Sequence, residues 1–367
     1  MFYLERDRIT VNENVASAKA EIGDEEFVSV RIVTDTMTGA SPNGAVASSD
    51  TQSFTAPSGG TFGIPAGKVP LADFSDIRAG INAEWERPRT DSTTVNYGAS
   101  VSVEKDYTST GLSAIYRHDI NQHLTTITAG MALDFDTIEP IGGVPVGLRD
   151  TTSTERGSNE QKATLKLLAG VTQVINRRTI TQLNYTLMPS HGYQTDPYKL
   201  VSIVDGSVDA AGNPGVDGYI NELRPDDRLM QSLYVKTMHQ LRVNVATFSY
   251  RYYWDDWDVT SHTLDFRYRY ELHDNYFLQP HIRLYSQSAA DFYRPSMLQA
   301  TPVPQYISAD YRLGNLDSAT AGLTFGGKLH NEVDFSMRAE YLRQEDRDGE
   351  FLSLNAVILQ GAISFRF

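Results

Sequence analysis

The chain contains no cysteine in 367 residues. That removes disulfide frameworks, thiolate metal centres and haem attachment through Cys-x-x-Cys-His, so any electron carrier would have to come from a partner. It suits an oxidising compartment, where an unpaired thiol is a liability. There is also no run of about 18 apolar residues, which excludes a helical membrane span. Cations are outnumbered: 32 Lys and Arg against 46 Asp and Glu leave a net charge of −14. Such a balance speaks against nucleic acid as a partner. A mean hydropathy of −0.35 does not argue against a membrane protein made of strands, where only every second residue must be apolar. No secretory leader is visible in Met1-Phe2-Tyr3-Leu4-Glu5-Arg6, and we read the chain as a mature form with its targeting segment trimmed or replaced.

Present in quantity are 20 Tyr, 15 Phe and 27 Gly, the composition of a β-rich chain with many turns and aromatic girdles. At the C-terminus Val357, Leu359, Gly361, Ile363, Phe365 and Phe367 alternate with Gln360, Ala362, Ser364 and Arg366. Alternation with period two is what a strand needs when one face meets lipid and the other the lumen. This ending resembles the signal read by the outer-membrane assembly machinery, with Gln360 at its polar position and Phe365 and Phe367 at its aromatic ones. It departs at the signal's glycine, which falls on Ala362, with Gly361 one place earlier.

The same alternation recurs along the chain. Leu264, Phe266, Tyr268, Tyr270 and Leu272 alternate with Asp265, Arg267, Arg269 and Glu271. Val333, Phe335, Met337, Ala339 and Tyr341 do so with Asp334, Ser336, Arg338 and Glu340. Strands are predicted at 2–6, 9–22, 26–37, 76–87, 93–105, 108–118, 124–135, 162–175, 179–188, 228–239, 241–253, 260–272, 276–287, 317–327, 331–343 and 352–367. In 241–253 the apolar phase changes between Val245 and Phe248, and a bulge near Ala246-Thr247 would restore it. Connections alternate between tight turns, such as Arg87–Asp91 and His239-Gln240, and long loops at 38–75, 136–161, 189–227 and 288–316. Structureless loops of that length are unusual in a compact soluble domain. In outer-membrane barrels, periplasmic turns are short and extracellular loops long. We therefore expect residues 1–367 to form a single all-β transmembrane antiparallel barrel of about sixteen strands in the outer membrane of a Gram-negative bacterium. Parity makes residues 2–6 the sixteenth strand, and aromatic girdles are expected to include Trp85, Tyr97, Tyr185, Tyr268, Tyr341 and Phe365.

Several segments resemble a known family. They are Asp35–Ala45, Thr51–Gly59, Asp136–Pro145, Tyr285–Tyr293 and Ser308–Gly314, in matching order over nearly the whole chain. Together they are similar to the bacterial outer-membrane family catalogued as domain of unknown function 3570. The family has no established activity. The resemblance implies genes for a flavin-transferring enzyme, a thioredoxin-like protein and a small lipoprotein nearby, and hence a redox-linked envelope system.

Candidate sites lie at the rim, in a loop and in the lumen. Trp254-Asp255-Asp256-Trp257-Asp258 with His262 places carboxylates and a histidine at the loop side, as acid–base hydrolysis of a peptide would need. A polar turn flanked by interfacial tryptophans explains the same residues, and we expect no catalysis there. Ser261 and His262 are strand neighbours and point to opposite faces. Asp205, Asp209 and Asp217, with Asn213 and Asn221-Glu222 among glycines, offer oxygen ligands of the kind calcium takes, but without EF-hand spacing. Acidic loops of this kind would also meet the divalent cations of a lipopolysaccharide surface. Facing the lumen we expect Arg31, Arg78, Glu84, Glu104, Asp265, Arg267, Arg269, Glu271, Arg283, Arg338 and Glu340, with His281 hydrogen-bonded beside Arg283. No bound cofactor is expected.

Two functions stay open at this point. One is a channel or porin-like conduit for small solutes. The other is a barrel that docks a periplasmic or lipoprotein partner, for example in electron transfer. Loop 38–75 could bend inward so that Gly39–Gly44 meets Arg267, Arg269 and Arg338, or could cap the rim.

Overall fold

A strand wetted on one side and greasy on the other must turn successive side chains in opposite directions. In lipid its backbone groups must also all be paired, which only a closed sheet achieves. The computed structural model describes residues 1–6, 8–55, 61–273, 275–330, 332–348 and 353–366. In chain order the strands are β1 (Phe2–Glu5), β2 (Ile9–Gly23), β3 (Glu26–Pro42), β4 (Gln52–Thr55), β5 (Thr61–Ile64), β6 (Leu71–Thr90), β7 (Thr93–Val103) and β8 (Tyr107–Ile120). Next come β9 (Thr125–Ile138), β10 (Val144–Pro145), β11 (Arg156–Gly157), β12 (Glu160–Asn176), β13 (Thr179–Gly192), β14 (Leu200–Val208), β15 (Pro214–Asn221) and β16 (Asp227–Leu241). The last are β17 (Asn244–Asp255), β18 (Thr260–His273), β19 (Tyr276–Gln287), β20 (Ser296–Leu298), β21 (Leu316–His330), β22 (Val333–Asp346) and β23 (Leu354–Phe365). A single 3-10 turn covers Tyr311–Leu313 among the described residues.

Sixteen strands form a closed antiparallel barrel, ordered β1-β2-β3-β6-β7-β8-β9-β12-β13-β16-β17-β18-β19-β21-β22-β23. The short β1 closes it: Phe2 is opposite Asn12 on one side and Leu359 on the other. Apolar side chains of one phase stand exposed, among them Ile77, Leu264, Phe266, Met337, Val357, Ile363 and Phe365. In a soluble protein this would be a large unpaid apolar surface; facing lipid it is the expected one. Tyr97, Tyr185 and Tyr341 share that exposure, and Trp85 packs on Tyr97 at 5.7 Å between ring centres.

Three sequence-based expectations are corrected here. The strands extend further on the loop side than the pattern suggests, so that Gly39–Pro42 belongs to β3, paired with Leu71–Phe74 of β6. No bulge interrupts β17, whose pairing with β16 runs unbroken from Met230–Asp255 to Leu241–Asn244. The phase change arises because Val243 lies in the turn, which follows Arg242 at φ 57°, rather than at His239-Gln240. Likewise β6 continues through Arg87 to Thr90, leaving a two-residue turn.

The long connections are not structureless. β4 pairs β5, β10 pairs β11, and β15-β14-β20 form a separate three-stranded sheet. In that sheet β14 and β20 run parallel, Ser202 opposite Ser296, so two different loops are sewn together.

Candidate functional site

The joined loops make a cap with its own core. Val201, Ile220, Met297, Ile307 and Ala309 form one buried cluster, and Leu148 packs against it from a third loop. A second holds Trp257, Val259, Phe292, Tyr293 and Leu313, with Val69 of a fourth loop at its edge. Here the rim motif is corrected. Trp257 is not an interfacial tryptophan but is buried, its ring 5.0 Å from Phe292 and its indole N–H donating to the Asp227 carbonyl at 3.0 Å. Asp258 at φ 67° turns the chain so that this is possible. Asp255 is fully committed: it takes Arg228 Nε at 2.9 Å, the Tyr253 hydroxyl at 2.7 Å and two backbone N–H groups. His262 turns to the other face, where it meets the Tyr250 hydroxyl at 2.7 Å. The two groups that a rim acid–base pair would need are thus separated by the sheet.

Between the two cores lies a cluster of charges. Arg224 reaches Glu222 at 2.6 Å and Asp310 at 2.9 Å. Arg312 reaches Asp310 and Asp196, each at 2.6 Å. The Ser308 hydroxyl donates to Glu222, and the Arg224 N–H donates to Thr195. Lys199, itself buried, donates to the Pro42 carbonyl at the end of β3. Three cations and three carboxylates meet here; Lys199, Glu222, Arg224 and Asp310 are buried, while the Arg312 side chain reaches the surface. Buried ion pairs of this kind confer registry more than net stability. Burial and the carboxylates of Asp196 and Asp310 push Glu222 up to about 7 against the pull of Arg224. The adjacent cations hold Asp310 well below the usual carboxylate range, and burial lowers Lys199.

The cap reaches the wall on several sides. Tyr198 donates to Asp106 in the β7–β8 turn, Arg8 beside β2 lies 5.7 Å from the Tyr311 ring centre, and Gln287 of β19 donates to the Arg312 carbonyl at 2.8 Å. It therefore spans the mouth. Residues 43–46 pack on the cap rather than on the lumen arginines: Leu200 N–H donates to the Asn43 carbonyl at 2.9 Å, and Val46 N–H to the Ser202 hydroxyl at 3.2 Å. This corrects the expected contact of Gly39–Gly44 with Arg267, Arg269 and Arg338. Those arginines already have partners in Asp265 at 3.2 Å, Glu271 at 2.5 Å and Glu340 at 3.8 Å.

The remaining predicted positions fall as follows. Arg78 meets Asp35 at 2.5 Å. Arg31 and Glu84 share their strand phase and are exposed. His281 joins two carboxylates, Asp265 at 2.7 Å and Glu340 at 2.6 Å. Arg283 stands opposite Asp265 in register. Gln360 pairs in register with Arg338, and Phe365 with Val333, while Phe367 lies outside the described residues. In the loop, Asp205 and Asp209 act as turn caps: Asp205 accepts from Ser207 N–H and Asp209 from Ala211 and Asn213 N–H. The Ser207 and Asn213 side chains, with these backbone bonds, hold both carboxyls below the ordinary value. Neither these two nor Asp217 joins a group of three ligands; among the described residues that grouping occurs at Asp76, Glu104 and Asp106.

This charge cluster latches two loops together; the sequence reading does not single it out as a site, yet it carries a signal. Glu222-x-Arg224 and Asp310-x-Arg312 are the same acid-x-arginine pair in two loops, which also meet at the Leu223–Ile307 bridge.

A closed antiparallel barrel with an apolar outer phase, tight turns at one end and long loops at the other is an outer-membrane β-barrel. The chain belongs to the family described as protein of unknown function DUF3570, whose model matches residues 1–364. Among solved structures it is similar to the siderophore receptor PirA from Acinetobacter baumannii, with 10% identity over 98% of this chain and 56% of that one, and a TM-score of 0.46. It is also similar to a mutant of the ferric enterobactin receptor of Pseudomonas aeruginosa (12% identity, 94% and 52% covered, TM-score 0.46). A third is the outer membrane transporter YddB from Escherichia coli (10% identity, 92% and 55% covered, TM-score 0.39). The chain spans about half the length of these proteins. No curated protein matches it.

Proposed function

We propose that this protein is a conduit for small solutes in the Gram-negative outer membrane, with a mouth that its own loops can close. The observation that carries this reading is the cap. It is a separate small fold, tied to the barrel wall by individual polar contacts such as Tyr198–Asp106 and Gln287–Arg312. Barrels of about sixteen strands are wide enough for an aqueous passage unless filled. On this reading the loops face lipopolysaccharide, and Gln360 and Phe365 belong to the stretch that the assembly machinery reads.

The test is conductance in planar bilayers, for the natural chain and for a variant with Asp310→Asn and Arg312→Gln. We expect small, intermittent currents from the first and larger, steadier ones from the second. Silence from both would overturn the conduit and favour a barrel that docks a periplasmic or lipoprotein partner, to be sought by co-purification.

A further inference from the structure

Below the cap, on the wall made by β16 to β19, a recess of about 450 Å³ opens. Arg224, Arg228, Arg251, Arg283 and Arg312 line it, with Asp310 as the one carboxylate. In a chain of net charge −14, five guanidiniums around one space are a strong local reversal of sign. Three of them are spoken for: Arg228 by Asp255, Arg312 by Asp310 and Asp196, and Arg224 by Glu222 and Asp310. Arg251 and Arg283 have no carboxylate within 4 Å among the described residues. Arg251 lies over the Tyr234 ring at 5.3 Å. Asp265, the register partner of Arg283, is taken by Arg267 at 3.2 Å and His281 at 2.7 Å. Independently, Arg224 keeps a buried Nε with no acceptor.

The lining also carries hydroxyls at Ser261 and Thr263, which can donate to an anion without adding charge. A second recess of about 340 Å³ shares Arg251, Thr263 and Arg283 with the first and adds Lys236 and Arg267, with Asp265 as its carboxylate. Cations thus continue from the underside of the cap into the barrel. The wall from β6 to β12 is different in kind: Asp76, Glu104 and Asp106 crowd together there, and Asp134 and Asp136 take Lys166 and Lys162. A cation on that side finds carboxylates, whereas at the recess an anion finds Arg251 and Arg283, neither with an ion-pair partner among the described residues.

We infer that this recess is a binding site for a small multiply charged oxyanion, a polycarboxylate or a phosphate ester, held by Arg251 and Arg283 beneath the closed cap. The site names the solute class of the conduit and rests on that reading for its role, though not for its occupancy. Guanidinium forks match carboxylate and phosphate oxygens bidentately, which favours oxyanions over halide. The volume admits a ligand of a dozen or so heavy atoms.

The experiment is calorimetric titration of the full chain in detergent micelles with citrate, with inorganic phosphate and with chloride. Citrate or phosphate should bind, chloride should not, and added salt should weaken the binding. The variant Arg251→Gln with Arg283→Gln should lose at least about tenfold in affinity while keeping its strand circular dichroism. Lys166→Gln on β12, already paired with Asp134 and outside the recess, should change affinity less than about twofold. Absence of citrate and phosphate binding at about 10 mM, or equal binding by the double variant, would overturn the site. If the double variant misfolds, Arg251→Lys and Arg283→Lys singly keep the charge, and each should weaken binding by loss of the fork; unchanged binding in both would overturn the site too. Binding without any conductance would keep the site and sink the conduit.

Discussion

Arg224 and Asp310 are 86 residues apart in sequence and 2.9 Å apart in the structure. Each lies in its own loop, and each is buried within a cap that neither loop could form alone. Removing the carboxylate with Asp310→Asn takes one partner from the buried Arg224 and one from the more exposed Arg312. Breaking one side of a buried pair typically costs about 3–5 kcal/mol. That loss should fall on the cap and not on the barrel ladder. Hydrogen exchange followed by mass spectrometry should show lost protection in β14 and β15 and unchanged protection in β22. Equal protection of β14 and β15 in variant and natural chain would remove the latch from the account.

The cap should also respond to pH through Glu222. Its carboxyl is pushed up from an ordinary 4.5 to about 7 in the docked cap. Between those values the undocked cap binds fewer protons than the docked one, so docking weakens as pH rises and levels off above about 7. Asp310 works the other way, but only at much lower pH, because its carboxyl is held down. Protection factors of the cap amides, which remove the base catalysis of exchange itself, should therefore fall from pH 5 to pH 8, and Glu222→Gln should flatten the fall. A slope of opposite sign would show that another group governs docking.

Gly44 sits at φ +97° against the carbonyl of Leu200, where any Cβ would fall inside contact distance. Gly44→Ala should cost about 1–3 kcal/mol of local strain and detach residues 43–55 from the cap. Limited proteolysis should then cut within that segment, whereas the natural chain resists.

His281 holds Asp265 and Glu340 together across the inner phase of β18, β19 and β22. In His281→Leu, Asp265 keeps Arg267, but Glu340 retains only Arg338 at 3.8 Å. A buried acceptor left short costs about 1–3 kcal/mol. The temperature at which the folded band disappears on unheated gels should drop accordingly, and His281→Gln should recover part of it.

Period two made the barrel readable. A strand such as Leu264–Leu272 has no freedom about which residues meet lipid, so its phase is written in every second letter. The cap carries no period, because its residues pack from four loops at angles that local sequence does not fix. Trp257 shows the difficulty: an aromatic near a strand end belongs either to a girdle or to a core, and only the fold of residues 288–315 decides between them. Asp205 and Asp209 show another, since an aspartate that caps a turn and one that binds calcium look alike in sequence. The acid-x-arginine pairs were the readable part of the latch; that they meet each other was not.

The parallel ladder between Ser202–Val204 and Ser296–Leu298 has a kinetic consequence. Its two halves flank the barrel strands β16, β17, β18 and β19, so the later half cannot be positioned until those four strands are in place. Contacts so distant along the chain pay their loop-closure entropy before they return anything. We therefore expect an open-ended cylinder to form first and its lid to set last.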